Sequence, residues 1–266
     1  MGLFDFLHRG SRQNAPVPLM LDETVVWAIG DIHGRADLLG LLLPAILEDL
    51  EQSSAQRRIL VGLGDYVDRG YDSRSVLNFL CAFQDQTGIE CHFLRGNHED
   101  RFEAFLTDPS VGPAWCEFGG RETLASFGIA PPHLTAGADI WETASAALAT
   151  NLTDRHRRFL GSQRSSLTLG DYFFSHAGAR PGVPLDQQTP DDLMWIRADF
   201  LNHTRRFEKI VVHGHTPEDR ATIDHRRIGI DTGAYATGVL TAIRLEGPQV
   251  ALLQTRNTEL EAMIAR

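Results

Sequence analysis

The sequence predicts an α/β layered fold, and three observations carry that expectation. Short apolar runs alternate with longer stretches of helical period through the first half of the chain. The second half is a succession of short apolar runs separated by turns. Clusters of Asp, His and Asn stand immediately after several of these runs, at the strand ends where layered α/β folds build their sites.

Residues 1–20 read as a leader before the first strand, which is expected over 25–29. A helix follows over 36–50, with Pro44 expected to kink or break it, because proline lacks the N–H that the preceding turn needs. A second strand over 59–63 leads to a helix over 73–83, with turn and capping residues at Asp72 and Ser73. A third strand ends over 92–94 and runs into a helix over 99–106. The block 108–168 is punctuated by Gly and Pro, is partly helical over 153–163, and reads as an insertion that shapes a cleft. Further strands are expected over 172–175, 209–212, 228–230, 239–245 and 250–254. The reading is one domain over 21–256 and a C-terminal tail over 257–266.

A net charge of −10, from 25 Lys and Arg against 35 Asp and Glu, argues against a protein that grips nucleic acid through a basic surface. It leaves room for a phosphorylated substrate, since bound cations and a few arginines reverse the field inside a cleft. No apolar run approaches the roughly 20 residues that span a bilayer, and residues 1–9 lack the basic and apolar regions of a secretory signal. The three cysteines, Cys81, Cys91 and Cys116, are not spaced as zinc ligands and read as reduced thiols. A cytoplasmic location is therefore expected, and nothing in the sequence marks an oligomeric state.

Five clusters carry the chemistry. The first strand runs into Gly30-Asp31-Ile32-His33-Gly34, where two side chains two residues apart share a side and can grip one cation. The second runs into Gly64-Asp65-Tyr66-Val67-Asp68-Arg69-Gly70, and the third into Arg95-Gly96-Asn97-His98-Glu99. Ser175-His176-Ala177-Gly178 and His213-Gly214-His215-Thr216 complete the set. Singly, each is as easily a polar turn or a helix cap. Together, five such clusters, each just past a strand, point to a cation site.

The set resembles the calcineurin-like metallophosphoesterases, in particular the phosphoprotein phosphatases and their bacterial and phage members, over roughly residues 25–245. The resemblance implies a central β-sandwich flanked by helices, with two divalent ions at the C-terminal edge of the strands. It assigns Asp31 and His33 to the first ion, Asp65 to both, and Asn97, His176 and His215 to the second. It makes His98, oriented by Asp68, the proton donor to the leaving group, and gives the phosphate to Arg69, Arg95 and Arg197. His213 reads as support or strand-end packing, and Pro217 stands where wider relatives carry another ligand histidine. Oxygen and imidazole ligands without thiolate suit Mn²⁺, Fe or Zn²⁺, and geometry does not choose among them; Mn²⁺ is the expected ion.

The implied reaction is hydrolysis of a phosphomonoester, on a phosphorylated protein or a small phosphoester, by in-line attack of hydroxide held between the ions. A serine/threonine phosphatase is the leading reading. Symmetrical diadenosine tetraphosphate hydrolase is the rival; that group usually carries Ala at the position of Asp68 and Asp at the position of Glu99. Tyr71, where the phosphatases usually carry Pro, is a departure that bears on the loop. An inactive, metal-stabilised binding protein is the alternative from another class.

Overall fold

A computed structural model describes residues 18–85, 88–256 and 259–264. The leader expected over 1–20 lies mostly outside the described residues. The first half winds β1 (Thr24–Ile29), α1 (Ala36–Gln52), β2 (Arg57–Gly62), α2 (Ser73–Gln84), β3 (Glu90–Phe93) and α3 (Asn97–Thr107). β1 pairs parallel with β2, and β2 with β3, so all three strands deliver their C-terminal ends to one edge. α1 runs unbroken through Pro44. The i−4 carbonyl that the proline leaves without its donor belongs to Gly40, which is exposed and so reaches water.

The block expected to shape a cleft is helical over most of its length: α4 (Gly112–Trp115), α5 (Arg121–Ser126), α6 (Ala138–Asn151) and α7 (Asp154–Gly161). Its aromatic residues Trp115, Phe127, Trp141 and Phe159 join Phe102 and Phe105 of α3 in one core against α1 and α2.

The chain then builds a second sheet from β4 (Ser166–Leu169), β5 (Tyr172–Ser175), β6 (Ile210–His213), β7 (Thr222–Ile223) and β8 (Arg227–Gly229). Two short helices, α8 (Pro190–Trp195) and α9 (Ala198–Leu201), cover its outer face, where Leu193, Ile196 and Phe200 meet Phe173 and Val211. After α10 (Ala234–Thr237), the strands β9 (Thr241–Glu246), β10 (Gln249–Arg256) and β11 (Glu259–Ile264) return to the first sheet. The orders are β11-β10-β9-β1-β2-β3 and β4-β5-β6-β8-β7. Part of the segment expected as a tail is thus an antiparallel edge strand on β10.

Period-two alternation explains how one strand serves two layers. In β1, Val25, Trp27 and Ile29 face the helices, whereas Val26 and Ala28 face the second sheet. Between the sheets these last two pack with Ile59, Val61, Phe174, Val212, Ile228 and Ile243. The result is a helix-clad β-sandwich whose parallel strands end at one rim. No helix among the described residues is long and apolar enough to cross a membrane.

Candidate metal centre

The polar clusters meet at that rim. The loop after β1 hangs on the loop after β2: the amides of Ile32 and His33 donate to the Asp65 carbonyl at 3.1 and 2.8 Å, and Gly34 donates to Tyr66 at 2.9 Å. The close approach needs glycine at one crossing. Gly64 has φ +104°, and a Cβ there would lie 2.7 Å from the Gly96 nitrogen and 2.8 Å from Nδ1 of His176. Among the described residues, six non-glycine residues have positive φ, and five of them are His33, Asp65, Asp68, Arg69 and His215. Left-handed backbone is costly for such residues, and its concentration here marks a site over-determined by its surroundings.

Glu99 is part of that determination. Buried on the first turn of α3, its carboxylate accepts N–H bonds from Asp65 at 2.8 Å, Tyr66 at 2.8 Å, Val67 at 3.3 Å and Gly96 at 3.0 Å. Burial pushes its carboxyl up to about 7, against the pull of those donors.

Asp65 lies at the middle. Its Oδ2 is 3.4 Å from Nε2 of His33 and 3.9 Å from Nε2 of His98, while its Oδ1 is 3.3 Å from Nε2 of His176. Two groups of side chains that could hold a cation result, His33–Asp65–His98 and Asp65–His176–His215, each with its atoms within 4.8 Å of one another. Asn97 belongs with the second, its Oδ1 being 2.8 Å from Nδ1 of His215 and 3.0 Å from Nε2 of His176. His33 and His176 are held by Nδ1–H bonds of 2.9 Å to the carbonyls of Val67 and Leu63, which leaves Nε2 of each turned to the cluster. Asp31 stands beside both groups, its oxygens 3.1 and 3.0 Å from the His215 amide.

The electrostatics are those of buried acids set among buried imidazoles. Burial pushes Asp31 well above the usual carboxylate range, and the neighbouring Asp231 and Asp65 push further. Burial would also raise Asp65, but His176 and His98 outweigh it and hold Asp65 well down. Burial lowers His176, yet Asp65 outweighs it and leaves the imidazole raised. Burial, helped by His98 and Arg69 around His33 and by His176 and Arg197 around His215, outweighs Asp65 and takes His33 to about 3 and His215 to about 2, neutral as metal ligands must be. The donor set therefore fits hard or borderline divalent ions.

Beside the cluster, Nδ1–H of His98 donates to Oδ2 of Asp68 at 2.8 Å. Burial lowers the His98 pKa, but Asp65 and Asp68 outweigh it and leave the imidazole raised. Asp68 is itself fixed from the helical block, accepting from Nε1 of Trp115 at 2.8 Å and from Oγ1 of Thr123 at 2.7 Å. Neither Trp115 nor Thr123 was marked by the sequence; the Gly119-Gly120 pair between them is the only local cue that the chain turns tightly there.

The arginines divide. Arg69 reaches the cluster, with Nη1 2.7 Å from Nε2 of His33 and its guanidinium 4.8 Å over the Tyr235 ring. It also borders an open groove of about 500 Å³ with Phe118, Arg121, Leu134 and Tyr235. Arg197 touches the loop of His215, 3.3 Å from its carbonyl. Arg95 turns onto α3, 2.6 Å from Glu103 and 3.5 Å from Asp100. His213 faces away from the cluster, bonded to the Gly214 carbonyl at 3.0 Å and to Arg227 at 3.0 Å.

Four similarities to known proteins bear on this arrangement. The asymmetrical bis(5'-nucleosyl)-tetraphosphatase PrpE of Anoxybacillus flavithermus is 26% identical over 81% of this chain and 88% of its own. The crystal structure of a putative diadenosine tetraphosphatase matches with a TM-score of 0.58 at 19% identity, covering 90% of this chain and 98% of that one. A cold-active protein-tyrosine phosphatase from a psychrophilic Shewanella matches with a TM-score of 0.55 at 16% identity, over 95% of this chain and 86% of its own. At such identities the two structures speak for the fold alone. The calcineurin-like phosphoesterase family model matches residues 24–250, nearly the whole described domain, and with the rim of Asp, His and Asn already in view, the chain belongs to that family.

Proposed function

We propose that this chain is a metal-dependent phosphomonoesterase of serine/threonine protein phosphatase type, in which Asp65 joins two cation sites. The observation that carries the reading is the Asp65 carboxylate, whose two oxygens face different ligand groups. Asp31 and His33 would complete the first site, and Asn97, His176 and His215 the second. Bound divalent ions, Mn²⁺ first and Fe or Zn²⁺ otherwise, supply Lewis acidity that activates water and neutralises phosphoryl charge.

The remaining steps belong to the chain. With Nδ1 committed to Asp68, Nε2 of His98 is the atom that hands a proton to the leaving oxygen. The acidic pair Asp65 and Asp68 keeps that proton in place. Arg69 lies where it can exchange His33 for a phosphoryl oxygen, and Arg197 can approach from the His215 side. Arg95 takes part only by leaving Glu103 and Asp100.

A second reading is favoured by the similarity to PrpE: hydrolysis of a dinucleoside polyphosphate, with the groove beside Arg69 holding a nucleoside. One assay separates the two. Metal-stripped protein resupplied with Mn²⁺ is given p-nitrophenyl phosphate, a phosphoserine peptide and diadenosine tetraphosphate. Turnover of the first two is expected. Turnover of the dinucleotide alone would replace this reading with the second.

A further inference from the structure

We infer that Asp231 supports the metal centre from just outside its ligand set, placing its carboxylate on the Asp31 side of the site. The inference rests on the reading of the cluster as a divalent-cation site. Position is the first argument. Parallel β6 and β8 align His213 with Gly229, and the Ile230 amide donates to the His213 carbonyl at 3.0 Å. Two residues beyond each aligned position stand His215 and Asp231, both just past a strand end. On the other side, β8 meets the end of β1: a Cβ on Gly30 would lie 2.4 Å from the Ile230 carbonyl oxygen. Asp31 and Asp231 are the next residues on those two touching segments.

Satisfaction is the second argument. Asp231 is 3% exposed. Its Oδ1 accepts the Gly233 amide at 2.9 Å, but its Oδ2 is buried with no hydrogen-bond partner. A buried carboxylate oxygen without a donor is costly, and such atoms are rare unless something else meets them. Asp31 and Asp65 are buried with it, at 2% exposure each. Three acids sharing one buried rim repel one another unless a cation lies among them.

Asp231 belongs to neither converging group of ligand atoms, so its contribution is negative charge and a free acceptor rather than one of those donor atoms. The class of ligand is a hard divalent cation with its water, which oxygen acceptors favour. Outer partners that orient a ligand set typically change metal affinity by about 10- to 100-fold when removed, and a buried charge beside Asp31 is expected to act on the same scale.

The test uses the chelator-treated full chain and its Asp231→Asn and Asp231→Ser variants, with Mn²⁺ as the probe. Mn²⁺ binding is measured by calorimetry, and melting is followed with and without the ion. The expected result is double-edged. Metal-free Asp231→Asn melts at or above wild type, because a repulsive charge is gone. It nevertheless binds Mn²⁺ at least tenfold more weakly and gains a smaller rise in melting temperature from the ion. Unchanged Mn²⁺ affinity in the variants, with wild type binding normally, would overturn this inference and leave the metal centre standing. A metal-free form that melts well below wild type, with affinity intact, would make Asp231 a purely structural residue. Absence of Mn²⁺ binding by wild type itself would overturn the metal-centre reading and this inference together.

Discussion

His98 is the residue whose role the geometry constrains most narrowly, since one ring nitrogen is spent on Asp68 and the other faces Asp65. Replacing it by Asn is expected to slow alkyl phosphates by about 10²–10⁴-fold, the usual worth of a general acid. Aryl phosphates, whose leaving groups need little protonation, should lose far less; equal losses on both would remove His98 from that role. Asp68 extends the argument to Trp115 and Thr123. Thr123→Val removes the bond to the Asp68 carboxylate and leaves the Asp68 amide with Ser73 Oγ alone as acceptor, so alkyl-phosphate turnover should fall while Mn²⁺ content stays level. Thr123→Ser, which keeps the hydroxyl, should restore most of it, and a serine variant as poor as valine would show that packing matters there instead. The residues named from the sequence and the residues found only in the structure differ in kind. Asp31, His33, Asp65, Asn97, His98, His176 and His215 were legible because each sits in a short polar string behind an apolar one. Trp115, Thr123 and Asp231 were not, because each acts on a partner far along the chain, and nothing local distinguishes them from core or turn residues.

At the scale of elements, β1, β2 and β5 were legible because they are buried on both faces and read as continuous apolar runs. β4 and β7 are short and half-exposed, so their composition resembles loop. β11 lies where the sequence is charged, and its partner β10 rather than its own pattern makes it a strand. Pro44 misled for a definable reason, since the carbonyl that proline deprives faces solvent. The loops after β2 and β3 make a prediction of their own. Glu99→Ala would strand four amide donors in the interior, and each buried unsatisfied group costs about 1–3 kcal/mol. The expected loss is about 3 kcal/mol or more in urea unfolding, with metal affinity falling because Asp65 is no longer clamped. A loss under about 1 kcal/mol would mean that water enters and replaces the carboxylate.

On the scale of the whole molecule, a net charge of −10 coexists with a rim that gathers Asp31, Asp65 and Asp231. Stripping divalent ions should therefore lower the melting temperature. At free Mn²⁺ a hundredfold above its dissociation constant, binding adds about 2.7 kcal/mol. A melting curve indifferent to chelator would contradict cation occupancy. The proposed donors come from both sheets: Asp31, His33, Asp65 and Asn97 follow β1, β2 and β3, whereas His176 and His215 follow β5 and β6. An ion bound there is a cross-link between the two halves of the sandwich, tying chain segments that lie 184 residues apart at Asp31 and His215. Like any cross-link, it forms only once both halves are in place, so metal uptake would report closure of the sandwich rather than formation of either sheet. Amides of residues 31–34 and 213–216 should then slow their hydrogen exchange together when Mn²⁺ is added, as the two rows of strand ends cease to part independently.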